Sequence, residues 1–145
     1  MSNVRHHTDM PSNTLSAYVL PGESLIDREM MVGRVNSFIS SREWKCAPAW
    51  AVDQERVGEE GELGLNLVLP EPYKEPEGWY EDVEAIVALC VRLRRQCQRD
   101  FVISIADATG VVEDIIEVNS DTPKTEYLRA FVGVGPPAPT KRDGA

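Results

Sequence analysis

Three observations predict an α+β domain with a single mixed or antiparallel sheet and helices packed on one face. Val83, Ile86, Val87, Cys90, Leu93 and Cys97 recur at three- and four-residue spacing, which places them on one apolar stripe of a long helix. Residues 101–106 then form an apolar segment, Asp107-Ala108-Thr109-Gly110 supplies turn chemistry, and residues 111–118 return as the second arm of a hairpin. Leu63, Leu65, Leu67 and Leu69 alternate with Gly64, Asn66 and Val68, the period of a strand with one buried face. A helix with one apolar stripe needs a sheet to cover, and short-linked strands pair as hairpins. The predicted element order is therefore β-α-β-β-α-β-β-α, in one domain over 14–134 between tails at 1–13 and 135–145.

The elements follow in order. Residues 1–13 mix polar residues and proline without periodicity and read as a tail that includes His6 and His7. Residues 15–20 are apolar-rich and close at Pro21-Gly22, a strand ending in a turn. Ser24 followed by Asp27 resembles a capping box, and Met31, Val35, Phe38 and Ile39 give a helical face reaching about Ser41. Residues 43–57 read as one strand interrupted or bulged at Pro48, or as an edge strand. It is expected to pair with the leucine-alternating strand, across an acidic loop at 53–62. The proline-rich connection 70–78 leads to Trp79 and Tyr80 and the main helix. That helix carries Glu81, Asp82 and Glu84 in its first turn and Arg92, Arg94, Arg95 and Arg99 in its last turns, which complements the helix dipole. Its stripe is expected to bury against Val102, Ile103, Ile105 and Ile116. Asp121 or Thr122 reads as the cap of a last short helix through Tyr127, Leu128 and Phe131.

The chain has 145 residues, enough for one core, and a formal net charge of −9. Such a charge disfavours a nucleic-acid backbone or an anionic membrane as partner, since both repel it. No apolar run approaches the roughly 18 residues that span a bilayer, and the first residues lack a secretory apolar segment. A cytoplasmic protein is expected. Cys46, Cys90 and Cys97 form no disulfide framework, because Cys90 and Cys97 stand about 10 Å apart along one helix. They read as reduced, mostly buried thiols.

The chemistry of catalysis finds little support. Both histidines lie in the tail, away from any nucleophile, so no Ser-His-Asp or Cys-His arrangement is expected. No metal or cofactor is expected either: the histidine pair lacks further ligands at tetrahedral spacing, and Gly133-Val134-Gly135 follows a helix instead of opening one. Asp107 and Glu113 flank a hairpin turn and are the one carboxylate pair that invites an acid/base reading.

The negative charge is uneven. Residues 53–62 sum to −4, residues 71–84 to −5 and residues 107–121 to −5. If these segments face one side, they make a focused acidic patch with aromatic anchors. The candidate partner-binding residues are Asp53, Glu55, Glu59, Glu60, Glu62, Asp107, Glu113 and Glu117, with Trp50, Trp79 and Tyr80. The leading expectation is an inhibitor that covers a basic or catalytic surface of another protein, as bacterial immunity proteins do to their toxins. A dimeric secretion chaperone holding an effector segment is the alternative, and a carboxylate-based enzyme is third.

Overall fold

The computed structural model describes residues 13–56, 59–71 and 73–134, without the side chains of Arg56, Glu59 and Glu60. Both predicted tails, His6 and His7 therefore lie outside the described residues, apart from Asn13. The chain forms β1 (Thr14–Val19), α1 (Arg28–Ser40), β2 (Trp50–Arg56), β3 (Glu59–Val68), α2 (Tyr80–Cys97), β4 (Phe101–Ala106), β5 (Val112–Val118) and α3 (Thr125–Phe131), in the predicted order. All strand pairs are antiparallel, and the sheet runs β2-β3-β1-β4-β5. The first strand in sequence is thus central, and each hairpin adds to one side of it.

The register converts the period of two into two faces. Ala51, Leu65, Ala17, Ile103 and Ile116 lie opposite one another in a row across all five strands. Leu15, Leu63, Leu67, Phe101, Ile105 and Val118 share that face, and helix residues Met31, Val35, Val83, Ile86, Cys90, Leu93 and Leu128 bury against it in one core. Cys97 closes the α2 stripe only half-buried, one residue before Gln98 ends the helix in the left-handed region at φ 57°. Val102 departs from the expectation. It pairs with Tyr18 and Glu117 in the row of the opposite face and is half-buried there.

Local chemistry explains where several boundaries moved. Asp27 itself caps α1, its side chain accepting from the Met30 backbone N–H at 3.0 Å, and Ser24 instead offers its carbonyl to Arg99. The segment 53–62 is a hairpin and not a loop: β2 runs to Arg56 and β3 begins at Glu59. The two arms pair from Trp50↔Asn66 to Arg56↔Glu59, with a register shift after Gln54. Gly61 makes this bend possible, with φ 72° and a position where a Cβ would overlap the Gln54 carbonyl. Residues 43–49 are not strand. Near the C-terminus, α3 begins after Lys124 and neither Asp121 nor Thr122 caps it, because Asp121 is engaged by Arg95 at 3.0 Å.

Two buried charged side chains hold the irregular segments. Asp82, in the first turn of α2, is fully buried and accepts from Arg42 Nη2 at 2.9 Å and from the backbone N–H groups of Lys45 at 2.9 Å and Cys46 at 2.6 Å. It fastens the α1–β2 connection, where Trp44 donates to the Ile39 carbonyl and stacks edge-on with Phe38. Arg99, also buried, donates to the carbonyls of Leu20 and Ser24 and fixes the β1–α1 connection.

Candidate protein-binding surface

With the three helices of the described residues on one side, no described helix lies over the other face of the sheet. The same pairing arithmetic places there Trp50, Asn66, Ser16, Ser104 and Asp114 in one row and Val52, Gly64, Tyr18, Val102 and Glu117 in the next. Tyr18 donates to Asn66 Oδ1 at 2.7 Å, and Ser104 to Asp114 Oδ1 at 2.7 Å. Gln54 and Glu62 extend this face towards the β2–β3 tip. Trp50 is 45% exposed on it. Glu62, Asp114 and Glu117 are its acids, and among the described side chains of this face there is no Lys or Arg.

The acid clusters are not brought together. Tyr18 lies opposite Gly64, so the β2–β3 tip extends past the C-terminal end of β1, whereas Thr14 lies opposite Ala106, which puts the 107–110 turn past the N-terminal end. The six residues of β1 separate these ends by about 20 Å along the strands. The hairpins also stand at opposite edges of the sheet. The acidic connection after β3 leaves beside the 107–110 turn, because Leu69 N donates to the Asn13 carbonyl at 2.8 Å. Asp107 and the connection after β3 thus share one end and the β2–β3 tip stands at the other, while Glu117 lies in the row of Tyr18 and Gly64, across the sheet from β2.

The clusters also differ in how far their charge is already satisfied. Asp53 and Glu55 face Arg28 from the helix side: Arg28 Nε lies 2.9 Å from Asp53 Oδ1 and 3.7 Å from Glu55 Oε2. The side chains of Glu59 and Glu60 fall outside the described residues. Asp107 is spent on its own turn: Oδ1 accepts from Thr109 N at 2.9 Å, Thr109 Oγ1 at 2.6 Å and Val111 N at 3.0 Å. The Thr109 hydroxyl first, then these backbone N–H groups, hold its carboxyl below the usual range. Glu113 and Glu117, both exposed on β5, have no cationic partner among the described residues.

The aromatic anchors divide too. Tyr80 is buried, with the Arg129 guanidinium 4.9 Å from its ring centre, and burial pushes its hydroxyl up to about 12. Trp79 is half-buried against Tyr80 at 5.5 Å between ring centres and lines a small cavity of about 130 Å³ with Ile105 and Phe131. Both serve packing, and Trp50 is the exposed one of the three. Sequence reading missed Tyr18, whose place in a central strand becomes significant only when the helices are known to lie on the other face.

A cleft of about 620 Å³ between α1 and α2 is lined by Met30, Phe38, Leu89 and Leu93 with Arg34 and Arg92. It holds no carboxylate or thiol. Among the described residues no group of His, Cys, Asp and Glu is placed to hold a metal ion, and no helix is long and apolar enough to cross a membrane. The three thiols are free, and burial pushes both Cys46 and Cys90 up to about 12, which makes them poor nucleophiles. No protein family, curated protein or solved structure matches the chain.

Proposed function

We propose that this is a binding protein, not an enzyme, and that it acts as an inhibitor by covering a basic surface of another protein, in the manner of an immunity protein. The observation that carries this reading is the uncompensated acid of β5: Glu113 and Glu117 form no ion pair among the described residues, while Asp53 and Glu55 do. Carboxylates left without partners on a rigid strand raise the encounter rate with a basic surface and set its orientation. Trp50 and Tyr18 on the helix-free face add aromatic area of the kind that anchors interfaces. The binding reading is favoured over the acid/base alternative by the hydrogen bonds that the Asp107 carboxylate accepts from Thr109 and Val111.

The test compares the wild type with Glu113→Lys/Glu117→Lys. Proteins captured from the native host would be identified, and the association rate of the captured partner measured at low and high salt. A basic partner whose association slows with salt and slows further with the double reversal is the expected result. A partner of acidic or neutral contact surface, or rates that ignore both salt and reversal, overturns the reading.

A further inference from the structure

We propose that the outer edge of β5 takes an extended basic segment of the partner protein as a sixth strand, with one long cationic side chain of that segment seated beside Tyr127. The inference rests on the acidic-binding reading above and specifies the place and the shape of what binds. β5 ends the strand order, and an edge strand turns half of its backbone N–H and C=O groups away from its sheet. Val111 and Val112, at the start of this edge, are more than half exposed.

Charge decides the occupant. A second copy pairing through the same edge would bring the Glu113, Asp114 and Glu117 carboxylates of two copies close together, and like charges on facing strands are destabilising. An extended segment bearing Lys or Arg at alternate positions sets its cations on the face that carries Asp114 and Glu117 and turns those repulsions into attractions. The other edge, β2, is less suited, because Arg28 already answers Asp53 and Glu55.

A cavity of about 370 Å³ opens beside the strand, with Ile115, Pro123 and Tyr127 supplying apolar wall and Glu117 a carboxylate. Ile115 is the extra residue of a bulge, since Ile103 pairs with Ile116 but Ser104 with Asp114. The Tyr127 side chain is 57% exposed and offers a ring to a cation. Lys124 also lines the cavity, at the start of α3, which confines the favourable charge to the β5 side where Glu117 stands.

The probe is a ten-residue acetylated peptide alternating Arg and Val, with two controls. One control replaces every Arg by Glu. The other keeps every side chain but N-methylates alternate residues on each backbone edge, which removes strand pairing and leaves the charge. The Arg peptide is expected to bind the full chain at low salt, to slow hydrogen exchange of β5 amides but not of β2 amides, and to lose at least about tenfold in affinity on N-methylation, equivalent to roughly 1.4 kcal/mol. Tyr127→Ala is expected to weaken binding about two- to fivefold. Equal binding by the methylated peptide, or protection on β2 in place of β5, overturns strand addition while leaving the acidic-binding reading standing. No difference between the Arg and Glu peptides overturns both.

Discussion

Replacing Asp82 by Ala removes the one carboxylate that fastens the α1–β2 connection to α2, and its cost can be worked from its partners. Two backbone donors, Lys45 N and Cys46 N, lose their acceptor in a part-buried place, at about 1 to 3 kcal/mol each. Arg42 also loses its carboxylate, but its side chain is 24% exposed and recovers water, so it adds little. The expected loss is roughly 2 to 6 kcal/mol, read from urea unfolding with an unchanged slope. Arg42→Ala alone should cost less, because Asp82 then keeps both backbone donors. A second readout separates a local from a global effect. The Cys46 thiol is raised from 9.0 to about 12 first by burial and then by its hydrogen bond and charge interaction with Asp82, with Arg42 opposing. Removing Asp82 deletes two of the raising causes, so in mildly alkaline, native conditions Cys46 should react faster with a disulfide reagent while Cys90 stays inert. A stability loss below about 1 kcal/mol together with an unchanged Cys46 rate would refute the claim that Asp82 organises this segment.

Other outcomes follow from the same structure. Ile86→Ala, at a fully buried position facing the sheet, should cost roughly 2 to 5 kcal/mol in chemical denaturation. Asp107 has a folded pKa below its ordinary 3.8, so the ionised carboxylate stabilises the turn above that pH, and the contribution is lost as pH falls through the lower folded value. Hydrogen exchange at Thr109 and Val111 should quicken there, and Asp107→Asn should abolish that pH dependence. Glu113→Lys/Glu117→Lys should shift stability by no more than about 0.5 kcal/mol per site, since both side chains are exposed and unpaired among the described residues. A large loss of Tm in that variant would assign these acids to the fold in place of binding.

The class and order of the elements and the two hairpin pairings, β2 with β3 and β4 with β5, were legible along the chain because they rest on local periodicity, whereas the place of β1 between the hairpins was not. The α2 stripe from Val83 to Leu93 and the alternation from Leu63 to Leu67 are each set by geometry within a few residues, and both bury where expected. Asp82 was readable only as a dipole-matching residue of a first helical turn, because its partners Arg42, Lys45 and Cys46 lie some forty residues away and reach it through folding. The acid clusters were visible as composition, but their positions depend on register. Tyr18 opposite Gly64 and Thr14 opposite Ala106 send the two hairpin turns to opposite ends, and no count of charge along the chain contains that fact. Trp79, Tyr80 and Trp50 look alike in sequence as aromatic residues at element boundaries. Packing separates them, because α3 brings Arg129 over Tyr80 and no helix among the described residues covers the face that bears Trp50. Local stereochemistry chooses the element, whereas burial and charge partnership are properties of surfaces that come together only when distant elements pack.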